Sequence, residues 1–195
     1  ADRAAVRSTD YPVGERVPMS TLISLAGIAA SLVAAFELGI PAYILCAAGF
    51  VLGIVGGFLG AVVCYLAYKK QYDDTEDSSI KLATFSTAPT IRSYGWNLVS
   101  EIVGTFVLTF VIIMFGNTPS GLGPLAVALL VVSIGASLGG PTGYAINPAR
   151  GLGPRIAHAV LPIKNKGPND WRYAWVPVVG PVIGSTLAAL VAYIY

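Results

Sequence analysis

Four apolar runs, roughly 40–68, 96–116, 122–140 and 174–195, alternate with polar stretches along this chain. About 20 mainly apolar residues suffice to cross a bilayer as a helix, so each run is predicted to be a transmembrane helix. A fifth run, roughly 20–36, is shorter and Ala-rich, and it reads as a span, a half-span or an interfacial helix. The polar stretches are a tail at 1–19, a connector at 69–95, a tight turn from Asn117 to Gly123, and the segment IKNKGPNDWRYAW at 163–175. The connector, KKQYDDTEDSSIKLATFSTAPTIRSYG, is long for a helix-to-helix loop, which predicts that it folds over the mouth of something. Trp171, Tyr173 and Trp175 fit an aromatic belt at the membrane surface.

Within the first long run, Gly53 and Gly57 overlap with Gly56 and Gly60 as two G-x-x-x-G pairs. Small residues at that spacing let helix backbones approach closely in lipid. Chance is the alternative in a chain with 22 Gly, but the pairs repeat on adjacent faces and favour packing. Gly180 and Gly184 form a similar pair in the last run. Glu101 lies near the start of the 96–116 helix, where a carboxylate is costly unless it faces protein or water. It reads either as an interfacial residue favoured by the helix dipole or as a brace accepting backbone N–H bonds from an irregular loop.

The stretch GGPTGYAINPARGLGPR, residues 139–155, sits between two apolar runs and departs from them most sharply. Asn147 is a strong helix N-cap, and Pro148 suits the first helical position, where a missing N–H costs nothing. A half-helix is therefore predicted from Pro148 to about residue 160. Gly139, Gly140, Pro141 and Gly143 favour irregular backbone just before it. Such backbone is tolerated at membrane depth only where protein buries it or water wets it. Two readings stand side by side: a pore wall with Arg150 on the first turn, or an extramembrane loop followed by a surface helix.

Composition agrees with a membrane protein, since 55% of residues are hydrophobic and only 11% are charged, against about 25% charged in soluble domains. The formal net charge of +2 with no basic stripe argues against a nucleic-acid partner. Cys46 and Cys64 fall in one apolar helix and read as small buried hydrophobes, and a single His with two distant Cys gives no metal pattern. Taken literally, the positive-inside rule puts 69–95 and 150–172 in the cytoplasm. The opening ADRAAVRSTDYPVGER shows no secretory-signal pattern and does not begin with Met.

At GPTGYAINPAR the chain resembles the aquaporin, or major intrinsic protein, family, in its glycerol uptake facilitator branch. The resemblance extends over about 93–195 through SYGWNLVSEIVGTFVL, GPLAVALLVVSIGASL, GLGPRIAHAVLP and WVPVVGPVIGSTLAALVAY. It implies an all-α membrane fold, an aquaporin-like helical bundle with a re-entrant half-helix. In the family that bundle is an inverted repeat with two opposed half-helices meeting at the midplane. By the resemblance, Asn147 donates its amide to a passing oxygen and Arg150 is the selectivity-filter arginine. Tyr144 is the aromatic beside that filter, and Gly135 is the small residue that glycerol channels keep. The carbonyls of Gly143, Tyr144 and Ala145 form a polar ladder, and Glu101, Pro148 and Ala149 support the re-entrant loop. Arg155 and Pro177 match positions that mark the glycerol branch.

Two departures accompany the resemblance. Gly151 stands where that branch usually has an acid, which leads us to expect a less well braced first turn. Only one NPA is present, and Thr21 to Gly27 stands where a first HLNPAV-like motif belongs. The segment 20–68 thus resembles a remnant of the first repeat, and 96–195 the second repeat. A fragment, a frameshifted gene and a real truncation remain open for residues 1–38.

The function implied is a passive transmembrane channel for glycerol, small polyols and water, in the plasma membrane and homotetrameric if family-like. The alternative is a non-conducting truncated membrane remnant. No cofactor or metal is expected. An enzyme is not expected either, since no nucleophile–base pair is visible and His158 reads as an interfacial side chain.

Overall fold

The computed structural model describes residues 42–116 and 121–194. The expected tail at 1–19, the run at 20–36 and most of the turn after Asn117 lie outside the described residues. Among the described residues there are seven helices and no strand: α1 (Ala42–Ala67), α2 (Lys69–Asp74), α3 (Ser78–Ala83), α4 (Tyr94–Phe115), α5 (Pro124–Thr142), α6 (Pro148–Val160) and α7 (Val176–Ile194). Four of them, α1, α4, α5 and α7, are long and apolar enough to cross a membrane. The 26 residues of α1 alone span about 39 Å at 1.5 Å per residue. The protein is an all-α integral membrane bundle.

Glycine decides how closely these helices approach. α4 and α7 meet at Gly180 and Gly184. A Cβ at Gly180 would stand 2.5 Å from Glu101 Cβ, and one at Gly184 would collide with the Ile102 carbonyl. The short helix α6 lies against α1 in the same way: a Cβ at Gly153 would stand 2.5 Å from Ile54 O and 2.9 Å from Phe58 N. Gly53, Gly57 and Gly60 are buried and Gly56 is half-buried. The close-packing stripe of α1 therefore receives a half-helix, so backbone touches backbone at the depth where α6 turns back.

The outward faces are apolar. Leu52, Val55, Leu59, Val63 and Leu66 form an exposed stripe at helical spacing on α1, as Leu125, Leu129 and Val132 do on α5. Contiguous exposed apolar surface of this kind marks contact with lipid or with another protein surface.

The connector folds back over one end of the bundle. Tyr72 on α2 and Phe85, just beyond α3, join a core with Ala61, Tyr65, Ala157 and Ile163. Tyr65, Tyr72, Phe85 and His158 follow one another ring to ring at 5.5, 5.6 and 5.2 Å. Tyr65 Oη donates to Pro162 O at 3.0 Å. The Ser79 hydroxyl and Ser79 N–H both donate to Asp77 Oδ1, at 2.7 and 2.8 Å, which caps α3 and holds the carboxyl below the usual carboxylate range. Three carbonyls at the end of α6, those of His158, Ala159 and Leu161, accept from Lys166 Nζ at 2.6–2.9 Å. A lysine in this place satisfies orphan carbonyls and complements the helix dipole.

Two expectations are corrected here. Tyr173 is not a belt residue: it is 1% exposed, and burial raises its phenol pKa, while Trp171 and Trp175 remain exposed. His158 is not interfacial: it is fully buried, with Nδ1 2.7 Å from Asn169 Oδ1. Both residues are covered by connecting segments whose path helical periodicity does not reveal.

Candidate functional site: a polar wall at the start of a half-helix

The chain leaves α5 at Thr142, descends through residues 143–147 and returns as α6. Gly143 adopts φ 72°, the left-handed conformation that glycine takes without steric cost, and its N–H donates to Gly139 O at 2.7 Å. Tyr144 and Ile146 also have positive φ, 37° and 39°. Non-glycine residues persist in that region only where their surroundings fix them, at a cost of about 1–3 kcal/mol each.

Glu101 does the fixing. Its carboxylate is 1% exposed. Oε1 accepts from Thr142 Oγ1 at 2.7 Å and from Ala145 N at 3.1 Å, and Oε2 accepts from Ile146 N at 2.6 Å. A charged acceptor makes such bonds shorter and stronger than neutral ones. One side chain of α4 thus holds both strained peptides in place.

Asn147 caps α6. Its Oδ1 accepts from Ala149 N at 2.8 Å and Arg150 N at 3.4 Å. That use of Oδ1 leaves Nδ2 without a partner among the described residues. The backbone oxygens of Gly143, Tyr144 and Ala145 likewise accept no hydrogen bond among the described residues. Arg150, on the first turn, is half-buried, and its guanidinium has no hydrogen-bond or ion-pair partner among them. Three carbonyls and two donor groups without a partner among the described residues therefore follow one another along residues 143–150. Glu101 and the helix cap hold the backbone that carries them.

Two glycines shape the surroundings. A Cβ at Gly135 would stand 3.0 Å from Tyr144 Cζ and 3.3 Å from its hydroxyl, so the Tyr144 ring occupies the space that Gly135 leaves. A Cβ at Gly151 would stand 2.8 Å from Pro177 Cγ. Pro177 packs directly on Gly151, so a Cβ there requires the Pro177 ring to shift.

Arg155 lies one turn further along α6 and is fully buried. Its Nη1 donates to Asn169 O at 2.6 Å and Asp170 O at 2.8 Å, and its Nη2 donates to Thr87 O at 3.2 Å. It pins the connector and the 163–175 segment to the half-helix. Thr87 in turn packs its Cγ2 3.0 Å from where a Gly143 Cβ would be, and Thr90 Oγ1 donates to Gly140 O at 2.6 Å. Arg92 closes the rim through a bidentate pair with Asp170, at 2.9 and 2.7 Å, which raises the Arg92 pKa.

Nothing in the sequence pattern singles out Thr87, Thr90, Thr142 or Asn169, which the structure places around the half-helix together with Lys166. Only Lys166 carried a local signal, as a cation shortly after a helix end. Among the described residues no cluster of His, Cys, Asp or Glu is suited to hold a metal.

Comparison with known proteins gives the family. The family model described as "Major intrinsic protein" matches residues 22–193. Over 139 residues the chain is 54% identical to glycerol uptake facilitator protein 3 of Lactiplantibacillus plantarum, a match covering 70% of this chain and 58% of that protein. Over 138 residues it is 54% identical to a probable glycerol uptake facilitator protein of Thermotoga maritima, covering 70% and 59%. The matches thus span less than two thirds of the length of these relatives. Among solved structures, the aquaglyceroporin from Plasmodium falciparum shares the fold, with a TM-score of 0.63 at 24% identity over 91% of this chain and 71% of that one. The chain belongs to the major intrinsic protein family.

Proposed function

We propose that this chain supplies one wall of a passive channel for glycerol, small polyols and water. The observation that carries the reading is the row of unpartnered Gly143, Tyr144 and Ala145 carbonyls beside the free Asn147 amide and Arg150 guanidinium. Such groups are costly at membrane depth unless something polar passes them. A polyol has a hydroxyl edge to exchange hydrogen bonds with that row and a carbon edge to lie on an apolar surface, which the Tyr144 ring provides. Arg150 offers several donors in a fixed fork, and its charge with the positive end of α6 repels cations and protons. The names of the relatives, glycerol uptake facilitators, support the same solute class.

The proposal extends to passive, non-enzymatic transport, a plasma-membrane location and a homotetramer of family type. The test is swelling of proteoliposomes in a glycerol gradient, with Arg150→Val as the altered wall. Swelling above empty liposomes that changes with the substitution supports the channel. A second reading, a membrane remnant that does not conduct, rests on the single NPA motif in the sequence. A stable oligomer in detergent with no solute flux favours it.

A further inference from the structure

Outside the polar wall, a second group of polar atoms collects where the connector and the 163–175 segment close over the outer half of α6. Ser86 Oγ, Thr87 Oγ1, Arg155 Nε, His158 Nε2 and Tyr173 Oη are buried without a hydrogen-bond partner among the described residues. The five residues are between 0% and 6% exposed. The one other such atom among the described residues, Thr105 Oγ1, belongs to α4.

The five sit on stretches joined at one place. Arg155 and His158 share a face of α6, three residues apart. Arg155 Nη2 reaches Thr87 O, and the His158 ring meets Phe85 edge-on at 5.2 Å, which brings residues 85–87 against that face. Arg155 Nη1 and Tyr173 N both donate to Asp170 O, at 2.8 and 3.1 Å, which brings in the third stretch. Leaving five buried groups unsatisfied at one seam would offset much of the net stability of a domain.

We propose that this seam is a closed hydration site whose ligand is ordered water. The chemistry selects water. Three hydroxyls can both donate and accept, Arg155 Nε only donates, and His158 Nε2 takes either role according to tautomer. Buried waters make about three hydrogen bonds each, to groups of this mixed kind. The Arg155 charge disfavours a cation, and the polar lining disfavours an apolar guest. The water bridges the connector to α6 and so holds Thr87 against Gly143, behind the polar wall rather than along it. This site does not depend on whether the chain conducts.

The test is hydroxyl-radical footprinting by X-ray radiolysis of the full chain in detergent, with rapid mixing into 18O water. Buried side chains are oxidised only by water held beside them. Phe85, His158 and Tyr173 are expected to be oxidised in the folded wild type and to take up 18O more slowly than exposed Trp171. Thr87→Val and Tyr173→Phe each remove one hydroxyl at nearly constant shape. Each is expected to cut His158 oxidation severalfold with Trp171 unchanged, and Thr87→Val to lower the Tm. No oxidation of the three buried residues in the wild type overturns the proposal. So does unchanged His158 oxidation in both variants, or a Thr87→Val Tm equal to or above that of the wild type.

Discussion

Replacing Glu101 by Gln tests the strained loop at its support. The carboxylate satisfies three donors, Thr142 Oγ1 and Ala145 N at one oxygen and Ile146 N at the other. An amide has one oxygen. With its NH2 at the second position, the Ile146 N–H faces a donor. With the amide turned round, the Thr142 hydroxyl can reverse and accept, but the Ala145 N–H is stranded. Either way one buried backbone N–H loses its acceptor, at about 1–3 kcal/mol, and the remaining bonds lose their charge assistance. The sum is about 2–4 kcal/mol, or roughly 4–16 °C in Tm for a chain of this size. Thermal unfolding followed by tryptophan fluorescence reads the change, with glycerol swelling measured beside it. Glu101→Ala strands both N–H groups and is expected to fall further, with flux lost because Tyr144 and Ile146 are released from their positive φ. A Glu101→Gln protein melting within about 1 °C of the wild type, with full flux, would refute the bracing argument.

The remaining predictions concern close approaches. Gly135→Ala puts a Cβ 3.0 Å from the Tyr144 ring, so the ring must shift by tenths of an ångström; glycerol swelling is expected to fall more than water swelling, and equal changes would count against the arrangement. Gly153→Ala meets the Ile54 carbonyl and Phe58 amide of α1, which cannot rotate away, and is expected to lower stability by about 1–3 kcal/mol, read as Tm. Gly151→Asp is expected to destabilise because Pro177 fills the space, and Pro177→Ala to relieve it; a Gly151→Asp protein as stable as wild type would contradict that packing.

Features that depend on local chemistry were the legible ones. Asn147 and Pro148 mark the start of α6 because capping and the missing proline N–H are properties of adjacent residues. The long helices show in apolar runs because lipid imposes length and composition together. Glu101 stood out because a carboxylate in such a run needs a partner, although nothing local identified Ala145 and Ile146 as that partner. Contacts made across the chain were not legible. Gly151 read as the loss of a brace because Pro177, on another helix, is what fills the position. Tyr173 and His158 read as surface residues because their cover comes from segments with no periodic pattern. Arg155 stood out only by resemblance, since its partners are backbone carbonyls and every residue has one.

The central claim is that the row from Gly143 to Arg150 is a path for small hydroxylic solutes. The most direct measurement is the swelling rate of proteoliposomes carrying the full chain in a glycerol gradient, compared with empty liposomes and with Arg150→Val at equal protein content. The account predicts wild-type swelling clearly above the empty liposomes and a different rate for the variant. Swelling indistinguishable from empty liposomes, for a protein shown to be folded and inserted, would contradict it.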